Sequence, residues 1–227
     1  SDKPRGSFSL TEYRDLVRLA RQKVGEPVPE SFSRKYRSSR EILQRHGIIN
    51  ADLHWLIRFM VNGFMRPSDI KFLQHQHVTV VRAKHIYLRL NLPETKKHDK
   101  PIVTLQPAVY VYERLLAWQL RQGLGKPTDY VFLPEQSNRD LVLETYRWQF
   151  TWIQQQAGIG RNAANGQSRT LYSLRHSSMT FRLLYGRRVD LLTLARNART
   201  SVEMVEKFYS SNLAAEMNID LLQGRRD

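Results

Sequence analysis

Three stretches of this chain carry side chains suited to handling a phosphate. Residues 171–209 open with Leu171-Tyr172-Ser173-Leu174-Arg175-His176 and close with Val205-Glu206-Lys207-Phe208-Tyr209, with Thr200-Ser201 between them. A guanidinium is a planar fork of donors that matches two non-bridging phosphate oxygens, and a phenol can serve as a covalent nucleophile. Arg175 and Tyr209 therefore suit a phosphate clamp and a phenolic nucleophile. A second arginine stands in Gly63-Phe64-Met65-Arg66-Pro67-Ser68-Asp69-Ile70, and lysines crowd Glu94-Thr95-Lys96-Lys97-His98-Asp99-Lys100. On residue type alone the bland alternatives stay open: Tyr209 as a packed aromatic after Phe208, and Arg66 as a surface arginine paired with Asp69.

The elements that must position these residues can be read from period and punctuation. Ser9-Leu10-Thr11-Glu12 fits a capping box, and apolar residues at helical spacing carry a first helix to about Val24. Residues 25–30 hold two prolines and form a loop. Residues 51–62 are apolar on a helical period and are expected to be buried. A helix ending near Gly63 and another starting at Pro67 put Arg66 at a corner, where it can point into a cleft. From His77 the period changes to two, giving a hairpin about Arg82-Ala83-Lys84 and a third strand over residues 101–105. Helices follow over residues 107–122 and 138–157, with a short extended segment at 129–134. The aromatic stripe of the second of these helices reads as core. Residues 158–168 are a loop leading into the focal stretch. The expected fold class is α+β, mainly α-helical, with a small three-stranded antiparallel sheet, and the economical domain reading is one domain over residues 1–227.

The chain has 36 Lys and Arg against 21 Asp and Glu, a formal charge of +15 and a pI near 10.3. That balance is the footprint of a polyanion binder, and nucleic acid leads over a membrane surface or an acidic protein. Within residues 31–45, Arg34, Lys35, Arg37 and Arg40 form a basic run suited to phosphate contacts. With no cysteine there is no disulfide or thiolate chemistry. No apolar run reaches the length of a membrane span, and no carboxylate cluster or paired-histidine spacing calls for a metal. The first residue is Ser1 rather than Met, which suggests a trimmed fragment.

Tyr172-Ser173-Leu174-Arg175-His176, followed by Thr200-Ser201 and Tyr209, resembles the catalytic domain of the tyrosine recombinases, the phage integrase family. The resemblance extends upstream to Gly63-Phe64-Met65-Arg66-Pro67-Ser68-Asp69 and to Thr95-Lys96, and covers about residue 60 to the C-terminus. It implies an integrase-type catalytic domain. In that reading Arg66 and Arg175 clamp the phosphate, Lys96 is the hairpin lysine with Lys97 and Lys100 close beside it, and Tyr209 is the nucleophile. The reaction implied is cutting and rejoining of double-stranded DNA through a 3′-phosphotyrosyl link, without metal or cofactor. The resemblance further implies a homo-oligomer, a tetramer on DNA, with an apolar C-terminal segment at residues 213–222 that can dock on a neighbouring subunit. It implies a prokaryotic or phage-encoded protein of the cytoplasm and nucleoid, and a separate N-terminal DNA-binding domain absent from this fragment. Lys97 and Lys100, with the basic run at Arg34, Lys35, Arg37 and Arg40, are the expected DNA contacts.

Two positions depart from the family's commonest pattern. Tyr172 stands where a histidine often precedes the second arginine, and a phenol is a poor general base at neutral pH. Thr200 stands where a histidine or tryptophan is common. Its hydroxyl can donate to a phosphate oxygen, and Thr200-Ser201-Val202-Glu203 also reads as a capping box. His176, one residue past Arg175, faces about 100° away on a helix and is expected to be structural. Three other readings stay open: a DNA-binding protein of this fold with weak or lost catalysis, a type IB topoisomerase-like enzyme, and a basic interaction or RNA-binding module.

Overall fold

In the computed structural model, which describes residues 6–29, 31–32, 47–93, 100–163, 166–186 and 189–210, helix α1 (Leu10–Gln22) starts at its expected cap. Ser9 Oγ accepts the Glu12 N–H at 3.1 Å, and Glu12 accepts the Ser9 N–H at 3.0 Å. Reciprocal bonds of this kind satisfy donors that a helix start leaves without partners.

Helix α2 (Leu53–Gly63) is the centre of the molecule, because its apolar residues run nearly all round: Leu53, Leu56, Ile57, Phe59, Met60 and Val61 are all buried. Burying each such side chain contributes roughly 1.5–3 kcal/mol. It packs against α1, α4 (Gln106–Leu120), α5 (Arg139–Ala157) and α6 (Leu171–Tyr185). Its chain turns at Phe64, which is left-handed at φ 55° and ψ 27°. That conformation costs a bulky residue about 1–2 kcal/mol, and burial of the ring in the core offsets it. The turn lets α3 (Pro67–Phe72) begin at once, with Pro67 in its first turn and Arg66 as the N-cap.

The sheet has the order β1-β2-β3, all antiparallel, with β1 (Val78–Arg82), β2 (Ile86–Leu90) and β3 (Ile102–Val103). Leu88, Leu90 and Ile102 are buried, and β2 lies on α4. The third strand is shorter than the period suggested. The Leu105 N–H leaves the sheet for Asn62 O at 2.9 Å, and Leu105 becomes the N-cap of α4. Val103, on β3, exchanges two hydrogen bonds of 2.9 Å with the side-chain amide of Asn197.

Residues 129–134 are not an extended segment as expected. Beyond a single bridge between Gln74 and Tyr130 they form turns wrapped about Arg139. Its guanidinium donates to the carbonyls of Lys71, Phe132, Leu133 and Gln136 and lies 3.7 Å from the Tyr130 ring centre. A buried cation needs such partners, and here the backbone supplies them. Helix α5, capped by Asn138, buries Tyr146, Trp148, Phe150 and Ile153, so its aromatic stripe is core as expected. Helices α7 (Leu191–Asn197) and α8 (Val202–Ser210) complete the described chain, α8 packing on α6 and α7.

Candidate active site

Arg175 lies on the face of α6 turned toward α2, where it is 2% exposed. Ser178, one turn on, is buried on the same side, while Ser173 and Ser177 are buried on the far side of the helix and let neighbouring chain approach closely there. The Phe8 N–H, for instance, reaches Ser177 Oγ at 2.8 Å. Arg175 Nη1 donates to Phe64 O at 2.6 Å and Nη2 to Ala198 O at 2.5 Å. Burial brings its ionisation down to about 10, helped by the like charge of Arg66, while Tyr172 and Asp69 act in the opposite sense. The guanidinium is still a cation at neutral pH, held in a poorly solvated place where its field is strong.

Arg66 comes to the same place from the α2–α3 corner. Its Nη2 donates to Arg199 O at 2.5 Å, and its main-chain N–H donates to Asp69 Oδ2 at 2.9 Å. Asp69 therefore meets the backbone of Arg66, and the surface ion pair considered from sequence is not what forms. Arg66 is half-buried beside Arg175.

Both arginines thus grip one turn. Helix α7 ends in a Schellman arrangement, with Thr200 N–H to Ala195 O at 3.0 Å and Arg199 N–H to Arg196 O at 3.2 Å. The left-handed position of this motif, usually glycine, is Arg199 at φ 55°. Its side chain is 5% exposed, with Nη1 4.0 Å from Asp69 Oδ1. Two residues later α8 begins. Its cap is Ser201, whose Oγ accepts the Met204 N–H at 3.2 Å and whose carbonyl accepts the Val205 N–H at 3.2 Å. The expected capping box at Thr200 is one residue out of register, because the Schellman turn uses up Thr200. The Thr200 hydroxyl is consequently not the helix cap, and the residue is half-buried.

Tyr172 is half-buried one turn before Arg175, and its phenol oxygen favours the charged guanidinium. Its ring meets His176 edge-on at 5.0 Å between centroids. His176 is buried, in keeping with a structural role. Beside Tyr172 opens a cavity of about 380 Å³, whose lining includes Pro67, Ser68, Arg147, Thr151 and Thr170. Among the described residues no group of His, Cys, Asp and Glu could hold a metal, and no helix is long and apolar enough to cross a membrane.

This architecture has close counterparts among solved structures. Site-specific recombinase XerH bound to difH substrate in a pre-cleavage complex superposes with a TM-score of 0.59 at 18% identity, over 99% of this chain and 55% of that one. XerA recombinase gives 0.52 at 15%, over 100% and 66%. A lambda integrase dimer bound to a core site gives 0.56 at 12%, over 93% and 62%. The chain has the catalytic-domain fold of the tyrosine recombinases. No family model and no curated protein matches it by sequence. It spans about half to two thirds of the length of these solved recombinases.

On this recombinase fold, the structure brings Arg66, Tyr172, Arg175 and Thr200 to one place. Tyr209 lies in the last turn of α8, the helix that the same turn launches. Lys100 is exposed just before β3. Lys96, Lys97, Arg34, Lys35, Arg37, Arg40 and the apolar segment at 213–222 lie outside the described residues. Sequence reasoning missed Arg199 and Arg147. On a basic chain neither an arginine on the exposed side of a helix, as Arg147 is, nor one in a loop carries a signal of its own, although Arg199 sits two residues past the end of an amphipathic stretch, where a left-handed cap is common.

Proposed function

We propose that this chain is a site-specific DNA recombinase that cuts and rejoins strands through a 3′-phosphotyrosyl intermediate. One observation supports this above the others: on the recombinase fold, Arg66 and Arg175 converge on the single turn that launches the helix of Tyr209.

In this reading Arg66 and Arg175 bind the non-bridging oxygens of the scissile phosphate. They stabilise the negative charge that builds there as a fifth oxygen approaches phosphorus. Tyr209 Oη gives up its proton to solvent water and forms the new bond to phosphorus while the bond to the 5′-oxygen breaks. Lys96 supplies the proton that the departing 5′-oxygen needs. Thr200, whose hydroxyl does not cap a helix, donates to a phosphate oxygen, and Tyr172 orients Arg175 rather than acting as base. The phosphotyrosyl ester conserves the energy of the broken bond, so a 5′-hydroxyl of the same or another strand can reverse the step. The positive charge of the chain brings double-stranded DNA to the site. XerH and lambda integrase are DNA-bound in their solved complexes, which supports the same partner here and an assembly of several subunits on it.

A specific observation keeps a second reading alive: Tyr172 and Thr200 replace residues more usual in the family, as in a protein of this fold that binds DNA and cuts it poorly. The experiment is capture on a pool of nicked duplexes with a randomised core. Covalent complexes are recovered from a denaturing gel and sequenced. Wild-type protein is expected to form an adduct and Tyr209→Phe none. An adduct that survives in Tyr209→Phe overturns the nucleophile. Specific binding without an adduct establishes the binding-only reading.

A further inference from the structure

We propose that Arg199 is a positioning residue for strand cleavage, fixing the start of α8 against the arginine clamp through the carboxylate of Asp69. The inference rests on the recombinase reading above.

Three contacts close a ring. The Arg66 side chain donates to the Arg199 carbonyl at 2.5 Å, the Arg66 main chain donates to Asp69 Oδ2 at 2.9 Å, and Asp69 Oδ1 lies 4.0 Å from Arg199 Nη1. Both the main chain and the side chain of each arginine belong to the ring. Neither Arg66 nor the turn before Thr200 can shift without breaking a contact of the other.

The residue type is informative because it is unfavourable. Glycine takes a left-handed helix end without steric cost, whereas an arginine at φ 55° is strained. Its charge is also buried, which adds a desolvation cost. A strained and buried cation at the joint between clamp and nucleophile helix does something a glycine there cannot. Arg199 shares Asp69, the carboxylate next to both clamp arginines. By drawing part of that negative charge to itself it leaves the potential at Arg66 and Arg175 more positive toward a phosphate. By anchoring the turn it holds α8, and with it Tyr209, at a fixed offset from the clamp.

The test compares wild type, Arg199→Gly, Arg199→Lys, Asp69→Asn and the Arg199→Gly/Asp69→Asn double variant. It uses single-turnover cleavage of the nicked duplex recovered by wild type, with duplex binding and melting temperature measured alongside. Arg199→Gly relieves backbone strain, so its melting temperature is expected at or near that of wild type. Half-saturation by duplex should change less than threefold, while the cleavage rate at saturation falls tenfold or more. Arg199→Lys should recover part of that rate, and the double variant should cleave no more slowly than the worse single one. Arg199→Gly cleaving at the wild-type rate overturns the role, as do losses that multiply in the double variant. Lost binding and melting temperature with no rescue by lysine show a merely structural residue and also overturn it. Wild type that forms no adduct overturns the recombinase reading and this role with it, so the two failures are distinguishable.

Discussion

Arg66, at the corner between α2 and α3, and Arg175, on α6, donate to consecutive carbonyls, those of Arg199 and Ala198, at 2.5 Å each. The carbonyls belong to one turn, so the separation of the two guanidiniums is set by a single peptide unit.

Removing either arginine should have different structural costs. Arg175 is buried, and its loss leaves Phe64 O and Ala198 O without their donor. Arg175→Ala is expected to destabilise the fold by on the order of 3 kcal/mol and to abolish cleavage. Arg66 is half-buried with one such bond, so Arg66→Ala should cost about 1 kcal/mol while cleavage is equally lost. Urea unfolding and adduct formation on the same preparations check both.

The shifted cap at the start of α8 separates two neighbouring hydroxyls. Ser201→Ala removes the cap on Met204 and should lower stability by about 1 kcal/mol. Thr200→Val keeps the shape and removes a hydroxyl that caps nothing; its melting temperature should stay near that of wild type while the cleavage rate falls. Equal stability losses in the two variants would contradict this division of roles.

Tyr172 is half-buried beside Arg175 and favours its charged form. Tyr172→Phe keeps the ring on His176 and removes the phenol oxygen near the guanidinium. Losing a polar interaction of about 1.5 kcal/mol with a charged group corresponds to roughly a tenfold drop in cleavage rate. Single-turnover kinetics at saturating duplex measure it, and an unchanged rate removes Tyr172 from the site.

Acid should weaken the fold through imidazoles that are buried or half-buried. Burial, with the charges of Arg21 and Arg58, brings His54 down to about 4, and burial lowers His75 and His77 as well. The unfolded chain takes up these protons near 6.5, the folded chain only at lower pH. Between the two the unfolded state binds more protons, so stability falls as pH drops through that window. Melting temperatures from pH 7 to about 4 should show this fall, and His54→Gln should flatten part of it.

Most elements were legible from local sequence. Leu53, Leu56, Ile57, Phe59 and Met60 announce α2 because a helix repeats its buried face every three to four residues. Ser9 and Glu12 announce the start of α1 because capping is a bond between near neighbours. Pro67 after Gly63 places Arg66 at a corner for the same local reason. The length of the sheet's third strand, the turns at 129–134 and the register of the α8 cap were misjudged, since each depends on a distant partner: Asn62 for Leu105, Arg139 for the turns, and the close of α7 for Ser201.

The candidate site divides in the same way. By itself the sequence determined which residue types are present, their order, and the positive charge that favours a polyanion. Tertiary structure alone decided that Arg66 and Arg175 meet at one turn, that Thr200 is free of the helix cap, and that Arg199 joins Asp69 at the clamp. Patterns three or four residues apart are written into a helix by its geometry. A contact between residues 66 and 199 exists only once α2 is buried among its neighbours and the left-handed turns at Phe64 and Arg199 have aimed two carbonyls inward.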